Sequence, residues 1–404
     1  MSVNGRTLQA GFITTFLIVS TLAIEVPATE TERIESYLKS LLKTEKHPGF
    51  SVLVSRDQQV LYQQAYGVAD MESGRLNSLD TTFLIGSITK QFTSAAILKL
   101  QEQGKLSVQD PLEKYFPGWP RGDEVTLHHL LTHTSGLSDS LVAQNGKPKP
   151  TCFDEVINRI CEQPLMFQPG TDFSYSTPAF EVLVALIQKT SGVEWEQLSK
   201  ELLFKPLGMT NSHFNTPKAP TNQAIPLFNR AMEIDLSPND SGLELHHHFK
   251  FNMGGGNGLS NPRDIAAFCQ MMLNQGSYNN VQILSPVTVS RMTEPQFQWW
   301  DSGSKLNLQE KPDFVSQGLG WMVRNKSHYR GSDLMSPKAF FHGGAYGMRA
   351  IVDPEYDLIT IFLTSAYHDA SYGNNRNCSS YPWLTHHHQM QQTFGNMTYS
   401  AIMK

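Results

Sequence analysis

The chain has 404 residues, of which 40% are hydrophobic and 17% charged, with a formal net charge of −5. This length suits one large domain or two ordinary ones, and the composition is that of a globular protein. The slightly acidic balance, with no long basic run, argues against nucleic acid as a partner.

At the N-terminus Arg6 precedes AGFITTFLIVSTLAI, a mostly apolar run of about fifteen residues. Small residues follow, with Thr21-Leu22-Ala23 and Val26-Pro27-Ala28 as candidate cleavage sites. This order and length predict a secretory signal over residues 1–28. The run falls short of the roughly 20 apolar residues of a membrane span. An uncleaved anchor and a buried helix are the competing readings. No Cys lies near the cleavage region to carry a lipid, and no later segment is long and apolar enough to span a bilayer.

From Glu30 to Lys43, apolar residues recur at helical spacing (Ile34, Tyr37, Leu38, Leu41, Leu42) and predict an amphipathic helix. GFSVLVS and QVLYQQAYGVAD then flank Arg56-Asp57-Gln58, two β-rich runs around a polar turn that predict a hairpin. Next comes FLIGSITKQFTSAAILKL at 83–100, whose apolar stripe predicts a helix ending at Gly104. A helix-rich middle follows. MRAIVDPEYDLITIFLTS at 348–365 repeats the hairpin pattern around Asp353-Pro354-Glu355. The polar tail from Tyr367 holds His386-His387-His388 and is expected to end in a helix that packs back.

Strands at both ends with helices between predict an α+β fold: one antiparallel sheet from the N- and C-terminal strands, flanked by helices, with a large helical insertion. The catalytic unit is expected over 29–366, with its sheet part near 45–85 and 315–366 and its helical part near 86–314; a tail occupies 367–404. Four cysteines, Cys152, Cys161, Cys269 and Cys378, are too few for a disulfide scaffold. Cys152 and Cys161 flank a helical FDEVINRI, which sets them about 13.5 Å apart, too far for a bridge unless one lies outside the helix. All four are expected to be free. Asn239, Asn325, Asn377 and Asn396 each begin a glycosylation sequon.

Ser87-Ile88-Thr89-Lys90 is a Ser-x-x-Lys, but the pattern is weak alone. Roughly one or two matches arise by chance in a chain of this composition, and there are four: Ser36/Lys39, Ser40/Lys43, Ser87/Lys90 and Ser302/Lys305. The first two fall within the amphipathic helix, where they form a solvated face. Ser87 differs because it opens a helix. Residues three apart share a helical face, so Lys90 can reach its hydroxyl. The helix start also offers free N–H groups and positive potential to a developing oxyanion. A Ser N-cap with an extended Lys stem is the alternative.

The surrounding text resolves this. VTLHHLLTHTSGL (125–137), FQPGTDFSYST (167–177), ELLFKPLGMTNSHF (201–214) and FFHGGAYG (340–347) follow in that order. With these segments the chain, over roughly residues 30–365, resembles the serine β-lactamase and penicillin-binding-protein superfamily. It is most similar to class C β-lactamases and their esterase and D-aminopeptidase relatives. The resemblance places the nucleophile motif on Ser87 and Lys90, the Tyr-x-Asn motif on Tyr175-Ser176-Thr177, and the Lys-Thr-Gly motif on His342-Gly343-Gly344. It implies a Ser87 nucleophile, proton handling by Lys90 and Tyr175, and an oxyanion hole from the backbone N–H groups of Ser87 and Ala345. It implies substrate contacts at Thr177, His342, Gly343 and Gly344. No cofactor and no metal are implied, and the substrate is a small molecule or short peptide.

Two departures bear on specificity. Thr177 stands for an Asn and loses the paired donor and acceptor of an amide. His342 stands for a Lys whose fixed charge holds a substrate carboxylate; imidazole carries charge only below about pH 6.5. The expected function is therefore cleavage of an ester or amide through an acyl-enzyme on Ser87. A D-amino-acid peptidase or weak β-lactamase and an inactive ligand-binding relative are the alternatives.

Other signals count for less. His129 and His133 have the i, i+4 spacing of zinc ligands, without a Glu after His129 or a third ligand. The triplets His246-His247-His248 and His386-His387-His388 read as solvated loop and tail. Gly254-Gly255-Gly256-Asn257-Gly258 reads as a tight turn near the site wall, before a helix capped by Ser260 or Asn261 with Pro262 at its first position. Tyr278-Asn279-Asn280 and Tyr372-Gly373-Asn374 match Tyr-x-Asn but sit in turn-like text. Arg349 is expected to pair on the strand surface rather than meet a substrate anion.

Overall fold

The structure is a computed structural model that describes residues 28–43, 47–70, 73–139, 150, 152–214, 253–296, 316–324, 332–344, 347–364 and 383–403. The expected signal segment, apart from Ala28, lies outside the described residues, as do Ser302/Lys305, Ala345, the Tyr372 match, Cys378 and three of the sequons. No described helix is long and apolar enough to cross a membrane.

Helix α1 (Ala28–Lys43) is followed by strands β1 (Gly49–Arg56) and β2 (Gln59–Gly67). The β1–β2 turn places Asp57 and Gln58 at φ 48° and 63°, the left-handed pair of a two-residue hairpin whose twist matches its strands. Short strand β3 (Phe83–Leu84) leads into α2 (Thr89–Glu102). The helical part contains α3 (Leu127–Leu131), α4 (Phe153–Cys161), α5 (Thr177–Ser191) and α6 (Trp195–Ser199). Strands β4 (His213–Phe214) and β5 (Gly258–Ser260) precede α7 (Pro262–Leu273). The hairpin β6 (Ser277–Tyr278) and β7 (Val281–Gln282) precedes α8 (Pro286–Thr293). The chain then returns through β8 (Ser316–Gln317), β9 (Met322–Val323), β10 (Phe340–Gly344), β11 (Met348–Asp353) and β12 (Leu358–Thr364), and α9 (Trp383–Ile402) closes it.

The main sheet has seven strands in the order β2-β1-β12-β11-β10-β9-β8. Its antiparallel β1–β12 seam joins the two ends of the chain, Val52 opposite Phe362 and Leu53 opposite Ile361. Alternation along each strand sorts side chains to two faces. Phe50, Val52, Val54 and Phe362 pack with Ile34, Leu38, Met390 and Phe394 from α1 and α9. Leu53, Ile359, Ile361 and Leu363 face the other way, into the core shared with α2, α5 and α7. Phe50 stacks on Phe362 with ring centres 5.1 Å apart; burying each such ring stabilises the fold by about 1.5–3 kcal/mol.

Strand β3 does not join this sheet. It pairs with β5 in a separate three-stranded sheet, in the order β3-β5-β4. Helix α2 also departs from the predicted stripe: every residue from Thr89 to Leu98 is buried, because the helix lies in the interior shared by sheet and helical part. Two of its polar residues find partners there, with Gln91 Nε2 donating to Gly320 O and Thr93 Oγ1 donating to Gly254 O. Cys152, Cys161 and Cys269 are free thiols. Asn396 accepts from Ser332 Oγ and Asp333 N and donates to Asp333, so this sequon is tied into side-chain bonding.

Candidate active site

Ser87 sits in a single 3-10 turn, Gly86–Ile88, directly before α2. Gly86 takes φ 54°, a left-handed conformation that favours glycine. The turn is held from two sides: Thr89 Oγ1 donates to Gly86 O at 2.7 Å, and Ile85 N–H donates to Gly258 O at 2.8 Å. Ser87 is half-buried between buried neighbours, so its hydroxyl remains reachable.

One turn into α2, Lys90 is fully buried. Its Nζ lies 3.1 Å from Ser87 Oγ, 3.3 Å from Thr177 Oγ1 and 2.7 Å from Gly255 O. Three acceptors match the three N–H donors of an ammonium. The rings of Tyr175 and Phe180 lie 4.9 and 5.5 Å from Nζ, within cation–π range.

Tyr175 and Thr177 arrive from the other wall. Thr177 begins α5, whose N-cap Ser176 accepts from Ala179 N. The Thr177 N–H donates to Asp139 Oδ1 at 2.6 Å. Burial raises the Asp139 carboxyl above the usual range, against the opposing pull of the Thr177 N–H and the Lys90 charge. The Asp139 residue as a whole is nonetheless exposed at the surface. Thr177 is thus engaged by Lys90 and Asp139 within the site itself.

His133 is the base on which Tyr175 rests. The two rings have centres 4.4 Å apart. His133 Nδ1 accepts Ser176 N–H at 3.1 Å, and His133 O accepts Ser174 N–H at 2.9 Å. Burial first, then the Lys90 charge and His342, hold its imidazole well below the ordinary value. The zinc-like spacing of His129 and His133 does not survive as a shared helical face. Helix α3 ends at Leu131, His133 takes φ 59°, and His129 Nδ1 caps the helix by accepting Thr126 N–H. Among the described residues no group of His, Cys, Asp or Glu is arranged to hold a metal ion.

The third motif lies on β10. A Cβ on Gly344 would sit 2.4 Å from Ile85 O, so only glycine lets this strand pass so close to the Ser87 turn. His342 is buried, and its Nδ1 donates to Gly343 O at 2.7 Å. The His342 and Tyr175 rings lie 6.3 Å apart. Arg349, opposite Gly343 across the β10–β11 ladder, donates through Nε and Nη2 to Gln391 of α9, and Gln391 donates in turn to Gly347 O. The guanidinium is therefore buried between β11 and α9 rather than paired at an open strand surface.

The structure brings Ser87, Lys90, Tyr175, Thr177 and the His342-Gly343-Gly344 strand together; Ala345 is outside the described residues. The glycine turn, read from the sequence as lying near the site wall, reaches the site through its Gly255 carbonyl. A residue that sequence reasoning missed joins it. Glu181, on α5, is fully buried, and its carboxylate accepts Gly254 N–H at 2.9 Å and Gly255 N–H at 3.0 Å. Its signal was present as a single charge inside the apolar run PAFEVLVALI. The rejected match at Tyr278 is a hairpin turn, with Asn279 and Asn280 at φ 46° and 64°.

Comparison with known proteins bears on the family and the fold. The chain is 32% identical to the esterase EstB of Burkholderia gladioli over 217 residues, 49% of this chain and 55% of EstB, and so spans about half of that relative. It is 26% identical over 362 residues to a provisionally named D-alanyl-D-alanine carboxypeptidase of Escherichia coli (strain K12), covering 80% of this chain and 79% of the relative. Among solved structures, EstCE1, a hydrolase with promiscuous acyltransferase activity, superposes with a TM-score of 0.71 at 18% identity, over 93% of this chain and 99% of that one; at that identity the likeness is one of fold. The family model for Beta-lactamase matches residues 34–377. A match over most of the chain, on a fold that sets Lys90 against Ser87, makes this protein a member of the Beta-lactamase family of serine hydrolases.

Proposed function

We propose that the protein cleaves esters, and activated amides more slowly, through a covalent acyl-enzyme on Ser87. The observation that carries the reading is the 3.1 Å contact between the buried Lys90 Nζ and the half-buried Ser87 Oγ. A serine needs an adjacent base to become nucleophilic at neutral pH. Ser87 Oγ attacks the carbonyl carbon and gives its proton to the unprotonated member of the Lys90–Tyr175 pair. The oxyanion forms against the N–H groups of Ser87 and Ala345. The carbonyl–oxygen bond to the leaving group then breaks, and the alcohol departs with the returned proton. Water repeats the sequence in reverse to free Ser87.

Charge supports an ester without a carboxylate as the preferred substrate. The position of the fixed cation is taken by His342, Arg349 is engaged with Gln391, and Asp139 adds a carboxyl beside Thr177. An anionic substrate gains little from such a cleft. The apolar run at 10–24 supports export to the periplasm or the exterior.

The test compares turnover of a short-chain p-nitrophenyl ester and a cephalosporin by the native protein and by Ser87→Ala. The reading expects ester turnover that Ser87→Ala abolishes, with the cephalosporin a poor substrate. Ester hydrolysis unaffected by Ser87→Ala refutes the nucleophile, and faster cephalosporin turnover refutes the substrate preference.

A further inference from the structure

A buried ammonium is costly unless an opposite charge and hydrogen bonds compensate it. Lys90 has its hydrogen bonds, but none of its three acceptors is a carboxylate. The buried negative charge lies one peptide away. Glu181 Oε2 and Oε1 accept the N–H groups of Gly254 and Gly255, and the carbonyl of the same Gly255 accepts Lys90 Nζ.

The turn is clamped on both sides. Helix α2 holds its oxygens, through Thr93 Oγ1 on Gly254 O and Lys90 on Gly255 O. Helix α5 holds its nitrogens through the one carboxylate. The approach is so close that a Cβ on Gly254 would lie 2.2 Å from Val184 Cγ2, and one on Gly255 would lie 2.7 Å from Glu181 Oε1. The pairing of β3 with β5 then sets this turn at the start of α2.

We propose that Glu181, outside all three motifs, is a positioning residue for acyl transfer: its carboxylate grips the Gly254–Gly255 turn, balances the Lys90 charge, and through Gly255 O fixes Lys90 Nζ against Ser87 Oγ. This rests on Ser87 being the nucleophile. The role is not interchangeable with a neutral side chain. A carboxylate accepts two N–H groups at once, whereas a glutamine amide turns its own donors towards one of them.

The same clamp couples the site to pH. Burial pushes the Glu181 carboxyl up to about 7, while the Gly254 N–H, the Lys90 charge and the Gly255 N–H oppose that rise. The groups acting on Glu181 are therefore Lys90 from α2 and the two amides of the turn. Protonation near neutrality removes the charge that balances Lys90 and weakens the hold on the turn.

The experiment follows p-nitrophenyl acetate acylation from about pH 5 to about pH 9 in the native protein, Ser87→Ala and Glu181→Gln. The proposal expects an acid limb in the native profile. In Glu181→Gln it expects that limb to be lost, the acylation rate to fall about 10- to 100-fold, the scale of misplacing a reacting group by up to 1 Å, and KM to change little. A Glu181→Gln protein with the native rate and limb overturns the proposal while leaving the Ser87 reading intact. Native activity that survives Ser87→Ala overturns both. Should Glu181→Gln not fold, the native profile still decides, since a flat rate across the range contradicts a titrating clamp.

Discussion

The imidazole of His133 lies beneath the phenol ring of Tyr175, with ring centres 4.4 Å apart, and its Nδ1 accepts the N–H of Ser176, the residue after that tyrosine. One side chain thus sets both the ring and the backbone of the second motif. His133→Asn keeps an acceptor near the position of Nδ1 but removes the ring. It is expected to lower kcat for an ester by about tenfold or more through loss of Tyr175 alignment, with a cooperative unfolding transition retained. Native kcat in this variant would show that the stacking is incidental.

His133 also shapes the dependence of stability on pH. It is held neutral in the fold, well below its ordinary value, by burial and by Lys90 and His342. Below about pH 6.5 the unfolded chain takes up a proton that the folded chain refuses, so this group's contribution is lost as pH falls. Glu181 acts in the opposite sense: its folded value is about 7 against an ordinary 4.5, so its contribution is present at low pH and lost as pH rises through about 7. In His133→Asn the acid penalty is gone, so the urea midpoint at about pH 5.5 should rise relative to that at about pH 7.5, compared with the native chain. Glu181→Gln should lose the fall in midpoint that the native carboxyl contributes as pH rises through about 7. Parallel curves for all three proteins would contradict both assignments.

Lys90→Ala removes the group in contact with Ser87, Thr177 and Gly255 and leaves the buried Glu181 without its counter-charge. Acylation should fall by about 10²–10⁴-fold, the usual worth of a positioned proton-transfer group. Far-UV circular dichroism should still report the native fold, at a lower Tm. Near-native acylation would remove Lys90 from the mechanism.

Gly344→Ala tests the approach of β10 to the nucleophile. The added Cβ meets Ile85 O at 2.4 Å, a backbone atom that cannot rotate away, so the strand or the Ser87 turn must shift. Ester turnover is expected to drop about 100-fold in a protein whose main sheet still forms. Unchanged turnover would mean that the third motif does not need this proximity.

Specificity should respond to the two departures from the family pattern. Thr177→Asn combined with His342→Lys restores an amide and a fixed cation. The ratio of cephalosporin to ester kcat/KM should rise by about tenfold, equivalent to roughly 1.4 kcal/mol of differential binding. A ratio that stays constant would show that Thr177 and His342 do not set the preference.

Local features of this fold were legible in the chain. The two hairpins announce themselves by β-rich runs around turn residues, and the Ser87 helix by its apolar residues and Gly104, which takes φ 69°. The family segments carried the order of the motifs. What stayed hidden depends on contacts across the chain. The glycine turn reads as lying near the site wall, but the contact of the Gly255 carbonyl with Lys90 depends on packing across the chain. Glu181 reads as one charge on a helix, because burial on all sides of α5 is a property of packing rather than of periodicity. The role of His133 was hidden for the same reason, since the helix ends before it and a left-handed backbone turns it under Tyr175.

The central claim is that Ser87 forms the covalent intermediate. Incubation with a fluorophosphonate probe followed by peptide mass spectrometry tests it directly. The account predicts a single adduct on the peptide containing Ser87, absent from Ser87→Ala. Folded native protein that yields no adduct on that peptide would contradict it.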